Sequence, residues 1–218
     1  MSRDGRIWLS HTGIEGLERC PRCFWLSYNK GIRQPEGIVS RLANRFDKVL
    51  KNYFDAYRAS GELPPMIVGK IEGKLQNPFQ EIYFVRIDNK YGFKGLLDEC
   101  LVLDNGEHVP FDFKTASSDP REKEMLPAYQ SQIDAYLFLL KQNGKKTADH
   151  GYLMYVYPDE GKMLHEGFPM IIHLQKVMGD PSKTPVKIKR AIDTLEGKIP
   201  EPNPDCPFCN YKKARTDE

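Results

Sequence analysis

Hydrophobic and polar positions change period along the chain, and the changes mark its elements. Leu9-Ser10-His11-Thr12-Gly13-Ile14-Glu15-Gly16-Leu17-Glu18 reads as a helix entry, with Ser10 or Thr12 placed to cap it. It runs into Cys20-Pro21-Arg22-Cys23 and the aromatic pair Phe24-Trp25, then into a Gly/Pro-containing linker over 30–37. Over 38–59, Leu42, Phe46, Val49, Leu50, Tyr53, Phe54 and Tyr57 fall at spacings of three and four, which predicts one long amphipathic helix. Gly61 closes it, and Pro64-Pro65 forbid its continuation. Residues 66–80 show no clear period and read as a short helix or loop.

From 81 the period is two. Ile82, Phe84 and Arg86 alternate with Tyr83, Val85 and Ile87, which predicts a strand. Asn89-Lys90-Tyr91-Gly92 is turn chemistry. Phe93–Leu103 reads as a second strand, Asp104-Asn105-Gly106-Glu107 as a hairpin turn, and His108–Lys114 as a third strand. Residues 117–126 are polar and read as a mobile loop. A strong helix follows at 127–143, with Tyr129, Ile133, Tyr136, Leu137 and Leu140 on one face and Gly144 as its stop. Strands are expected at 151–157 and 168–175, and a last helix at 184–196, before Pro200-Glu201-Pro202 and a cysteine-bearing tail. The order α, α, β, β, β, α, β, β, α predicts an α/β fold: a small mixed sheet flanked by helices, in one domain.

Composition narrows the function. Of 218 residues, 40% are apolar and 28% charged, a globular rather than a disordered balance. Lys and Arg total 32 against 30 for Asp and Glu, a net charge of +2, so nucleic-acid binding would depend on local patches, not a bulk field. No apolar run approaches the roughly 18 residues that would span a bilayer. No apolar segment follows Met1-Ser2-Arg3-Asp4-Gly5-Arg6 as in a secretory signal, so the expected address is the cytoplasm, with no membrane partner.

Gly95-Leu96-Leu97-Asp98 and Phe111-Asp112-Phe113-Lys114 fall on the two predicted strands of one hairpin. That pairing puts Asp98 and Asp112 at similar heights, and the spacing of two puts Asp112 and Lys114 on one face. Two acids and a lysine on one sheet face are costly to bury without partners. A divalent cation would neutralise the acids, and Lys114 could orient water for attack on a phosphodiester. The plainer reading is a structural salt bridge. The following helix carries Gln132 and Tyr136 four apart, on one face, where both can hydrogen-bond a phosphate or the acids.

The series Gly95-x-x-Asp98, Asp112-x-Lys114, Gln132-x-x-x-Tyr136 resembles the PD-(D/E)XK nuclease superfamily. In particular it is similar to the RecB-like exonuclease branch, which includes CRISPR-adaptation-associated nucleases; the resemblance runs from Leu9 to Tyr211. It implies a restriction-endonuclease-like core at about 38–180. It also implies that Asp98, Asp112 and the Phe113 carbonyl bind Mg²⁺ or Mn²⁺, that Lys114 supports the attacking water, and that the helix of Gln132 and Tyr136 lines the DNA path. The histidine of the branch's first motif is replaced by Asp47, a hard oxygen ligand for the same ions or, more plainly, a solvated helix acid. Glu81 is a weaker candidate for the metal shell. The activity implied is phosphodiester hydrolysis on single-stranded DNA ends. A catalytically silent DNA-holding or scaffolding module and an iron–sulfur regulatory protein are the alternatives. Repair, replication and CRISPR adaptation are the settings in which protein partners would be met.

Cysteines add a second site. Cys20, Cys23, Cys206 and Cys209 form two Cys-Pro-x-Cys pairs, one near each end of the sequence, and together could hold one Zn²⁺ or one iron–sulfur cluster. Iron–sulfur members of the resembled branch carry one cysteine before the core and three after. Cys20, Cys206 and Cys209 match; the last is missing, and Cys23 takes its place. The resemblance favours a 4Fe–4S cluster, with zinc as the alternative. In either case the four cysteines would join the two ends of the fold. Cys100, alone in an apolar stretch, reads as a buried hydrophobe. Lys141, Lys145 and Lys146, then Lys183, Lys187, Lys189 and Arg190, then Lys212, Lys213 and Arg215 could track a phosphate backbone or simply face solvent. Phe24, Trp25 and Tyr28 could stack on bases or pack beside the cysteines. His11, His108, His150, His165 and His173 show no ligand spacing.

Overall fold

The computed structural model describes residues 5–35, 38–161, 167 and 169–216. The chain divides into two compact units, one within 37–83 and 96–181, the other within 1–36, 84–95 and 182–218.

The first of these is built on a five-stranded mixed sheet. Its strands are β2 (Lys74–Leu75), β5 (Glu99–Val102), β6 (His108–Thr115), β7 (His150–Pro158) and β8 (Met170–Met178), in the order β2-β5-β6-β7-β8. Only β6 and β7 run parallel, with Asp112 beside Leu153 and Lys114 beside Tyr155. The parallel step is closed by the helix α4 (Pro127–Gln142). The long helix α3 (Ile38–Arg58) covers the opposite face.

Alternation along β6 explains the division. Phe111 and Phe113 point with Met154 and Val156 into a core that takes Leu50 and Phe54 from α3. Phe54 meets Phe113 at 4.9 Å between ring centres. On the other face Leu153, Tyr155, Tyr157 and Val177 pack with Ile133 and Leu137 of α4. Asp112 and Lys114, being even-numbered on β6, therefore face α4. Gly151 lets that helix approach: a Cβ there would lie 2.8 Å from Ile133 Cδ1 and 2.9 Å from the Pro110 carbonyl. The apolar stripe predicted along α3 is buried only in its second half, since Leu42 and Val49 are exposed.

The other unit contains β1 (Ile7–Leu9), α1 (His11–Arg19), α2 (Pro21–Lys30), α5 (Lys183–Glu196) and α6 (Pro207–Thr216). β1 pairs in parallel with β4 (Tyr91–Leu96) in a three-stranded sheet of order β1-β4-β3, where β3 spans Ile82–Arg86. Ser10 caps α1 by accepting from the Gly13 amide at 3.2 Å.

Several expectations need correction. The strand expected over 93–103 is broken into β4 and β5, which belong to different sheets. Asp98 lies in the break, held by buried Leu97, whose amide donates to the Glu81 carbonyl at 2.9 Å. Helices α2 and α6 fall where no separate element was expected; Pro21 and Pro207 sit in their first turns, where the missing N–H costs nothing. Residues 66–80 are turns except for β2, and a short 3₁₀ turn at Pro120–Glu122 interrupts the polar 117–126 segment. The fifth strand begins at 170, later than expected; residue 168 lies outside the described residues, as do His165 and the Arg215 side chain. Cys100 is buried, as expected, and burial pushes its thiol up to about 12.

Candidate active site and four-thiol site

Where β5 begins, at Glu99 opposite Phe111, the register places Asp98 opposite Asp112. Asp98 Oδ2 accepts from the Phe113 amide at 3.0 Å, standing in for a ladder acceptor that β5 does not supply there. Its Oδ1 faces Lys51 Nζ of α3 at 2.9 Å.

Asp112 is 1% exposed. Its Oδ1 accepts from Gln132 Nε2 at 2.8 Å and lies 3.3 Å from the Tyr136 hydroxyl. Its Oδ2 pairs with the Lys114 ammonium, but is otherwise a buried oxygen without a well-directed hydrogen bond. Burial, reinforced by Asp98 and opposed by Lys114, pushes the Asp112 carboxyl up to about 7.

Gln132 locks this arrangement from α4. Its carbonyl accepts from Lys114 Nζ at 2.8 Å, and its amide donates to both Asp112 and the Tyr136 oxygen, the latter at 2.8 Å. The Tyr136 hydroxyl donates a hydrogen bond to the Leu96 carbonyl at 2.9 Å. Burial, then the nearby Asp112, holds its phenol well above the usual range, so it is a neutral donor. Lys114 Nζ also lies 4.7 Å from the Tyr129 ring centre, a cation–π contact. An ammonium has three donors; Asp112 and Gln132 take two of them, which leaves one for a water or phosphate oxygen.

Asp47 reaches the same place from α3, through Lys51 Nζ at 3.1 Å. Burial and Asp98 raise its carboxyl above the ordinary range, against the pull of Lys51. Glu81 is more remote, 4.0 Å from Lys51 and half exposed. Lys51 was not singled out in the sequence, although it stands one helical turn from Asp47 and faces three acids. Tyr129, read as an apolar face residue, is the other neighbour that pattern alone did not reveal.

The donor set suits a hard divalent cation. Every side-chain donor is a carboxylate oxygen, and one of them, Asp112 Oδ2, is buried and poorly partnered on an acid whose ionisation burial opposes. The Asp47, Asp98 and Asp112 oxygens are not all within 4.8 Å of one another, and Lys51 lies between Asp47 and Asp98.

Among the described residues, the four thiols are the one such set of His, Cys, Asp or Glu drawn within 4.8 Å. Sγ of Cys23 lies 3.7 Å from that of Cys206 and 3.6 Å from that of Cys209, and Cys20 lies 3.9 Å from Cys209. All four belong to one unit. Burial works against the Cys20 thiolate, but backbone amides of Cys23 and Asn203 and the neighbouring thiols hold its thiol down at about 7. The nearby aromatics are engaged in packing: Phe24 is buried 4.9 Å from Tyr28, and Trp25 Nε1 donates to the Gly197 carbonyl at 3.1 Å.

Several candidate phosphate-tracking cations are paired. Lys187 faces Glu15 at 3.6 Å, Lys189 faces Asp193 at 2.7 Å, Arg190 faces Glu18 at 2.7 Å, and Lys146 faces Glu107 at 3.4 Å.

Residues 62–214 match the family model described as the PD-(D/E)XK nuclease superfamily. The chain belongs to that superfamily. It is a nuclease-family protein in which Asp112-x-Lys114 on β6, Asp98 just before β5 and Gln132-x-x-x-Tyr136 on α4 lie side by side. A solved structure named SSO0001 shares the fold at TM-score 0.50 and 19% identity, over 94% of this chain and 84% of that one. An alkaline exonuclease (LHK-Exo) from Laribacter hongkongensis aligns at TM-score 0.42 and 10% identity, over 99% and 96% of the two chains. Its complex with dAMP aligns at 0.41 and 12%. No curated protein matches significantly. Among the described residues, no helix is long and apolar enough to cross a membrane.

Proposed function

We propose that this nuclease is a Mg²⁺- or Mn²⁺-dependent deoxyribonuclease of RecB-like type that hydrolyses phosphodiester bonds at single-stranded ends. The observation that carries the reading is the interlocked set of Asp112, Lys114 and Gln132 on the α4 face of β6, with Asp98 beside it. A structural salt bridge alone would not need a buried carboxylate held near neutrality, nor a glutamine dedicated to both partners. The family match runs over most of the chain, which supports treating it as one nuclease domain with its core at about 38–180.

Asp98 and Asp112, with the Phe113 carbonyl and Asp47, would hold the cation. When bound, it supplies a Lewis acid for the phosphate oxygens. Lys114 uses its remaining N–H to hold the attacking water and to offset charge developing on the phosphate. Gln132 keeps the ammonium aimed and prevents Asp112 from swinging away. Tyr136 fixes Gln132 and stays protonated throughout. Lys51 neutralises Asp47 and Asp98 until a cation takes over and leaves the ammonium to pair with a phosphate. In the net reaction the water oxygen adds to phosphorus, the ester P–O bond breaks, and the leaving oxygen gains a proton.

The test is cleavage of end-labelled single-stranded and duplex DNA, with RNA as control, with and without Mg²⁺ or Mn²⁺. The proposal expects metal-dependent release of nucleotides from single-stranded ends. Binding without cleavage under every metal would instead identify a silent DNA-holding module.

A further inference from the structure

The iron–sulfur branch implies a cubane at the four cysteines, and the thiols do not fit one. In a 4Fe–4S cluster each thiolate takes its own iron, so the four sulfurs stand on the order of 6 Å apart. Here the Sγ–Sγ separations are 3.6, 3.7 and 3.9 Å, and no pair of the four exceeds 4.8 Å. With a metal–sulfur bond of about 2.3 Å, the edge of a regular ZnS₄ tetrahedron is about 3.8 Å. We propose that Cys20, Cys23, Cys206 and Cys209 bind a single tetrahedral Zn²⁺ in place of the 4Fe–4S cluster that the resemblance implies.

The backbone is built for that ion. Both pairs form the same knuckle: the first cysteine precedes a helix, proline occupies the first turn, and the second cysteine follows within that turn. The Cys20 carbonyl accepts from the Phe24 amide at 3.1 Å, and the Cys206 carbonyl from the Asn210 amide at 3.0 Å. Two helix N-termini therefore converge on the thiolates with their positive ends, which favours sulfur in its anionic, metal-binding form. Cys20 and Cys206, the leading cysteines, are buried, while Cys23 and Cys209 are half-exposed. The two-plus-two ligand division completes the argument. Two cysteines from each of two matching knuckles suit a closed structural zinc site.

This inference stands independently of the nuclease reading, and its test does not use activity. The full-length protein is purified anaerobically from cells supplied with both iron and zinc, and its metals and acid-labile sulfide are measured. The expected result is one zinc per chain, negligible iron and sulfide, and no visible absorption band. X-ray absorption at the zinc edge should show one shell of four sulfurs at about 2.3 Å and no metal–metal distance. Exposure to air should leave the zinc content unchanged. About four irons and four sulfides per chain would overturn the proposal. So would zinc-free protein with four titratable thiols that takes up no added Zn²⁺.

Discussion

Asp112 joins burial to chemistry. Its carboxyl ionises near 7 because it is desolvated and beside Asp98, whereas an unfolded Asp ionises near about 3.9. Folding therefore favours the protonated form; that contribution is complete below about pH 4 and is lost as the pH rises through 7. A divalent cation must displace the same proton. Calorimetric titration with Mn²⁺ should accordingly show affinity roughly tenfold higher at pH 8 than at pH 6, with proton release at the lower pH. Equal affinity and no proton release would contradict a proton on Asp112 that the cation must displace. Gln132 gives a second prediction. Gln132→Ala frees both Lys114 and Asp112 without removing either, so kcat should fall about 10–100-fold while the protein stays folded. The Asp-x-Lys spacing and the Gln-x-x-x-Tyr turn were legible because strand and helix periods translate directly into shared faces. Lys51 was not, because a lysine four residues from an aspartate on a helix is the commonest surface pair there is.

At the scale of elements, α3 is anchored by an ion pair that pattern reading passed over. Arg58, in its last turn, forms a bidentate pair with Glu99 of β5, at 2.7 and 3.1 Å, and also donates to the Gln76 carbonyl at 2.7 Å. Glu99 is 1% exposed and follows Asp98 directly, so the pair fixes the very place where the chain leaves one sheet for the other. Arg58→Ala would strand a buried carboxylate. Urea denaturation at pH 8 should show a loss of about 3–5 kcal/mol. The loss should shrink in acid, because burial holds the Glu99 carboxyl above its usual range and it protonates readily. The break at Asp98 was hidden in the sequence because Phe93–Leu103 carries enough apolar residues for one strand, and Gly95 lies inside β4 and does not mark the switch. The helices α2 and α6 were missed for the opposite reason. The Cys-Pro-x-Cys pairs were read only for their ligands, whereas Pro21 and Pro207 also begin helices.

For the molecule as a whole, hydrogen-bonded carboxylates and clustered thiols are separate devices, and each should be removable alone. Stripping metal from the four thiols with a strong chelator should lower the melting temperature by several degrees, because metal binding at a structural site is folding free energy. Lys114→Ala should leave the metal content of the four thiols unchanged. The fold class was readable because the mixed sheet and its two covering helices are written in long, clean periods; the division into two units was not, since it depends on which distant segments meet. The most direct test is the initial rate of single-stranded DNA hydrolysis by the parent and Lys114→Ala proteins, measured side by side with saturating Mn²⁺. A loss of about 10²–10⁴-fold, with DNA affinity retained, is the predicted result. Equal rates in the two proteins would contradict it.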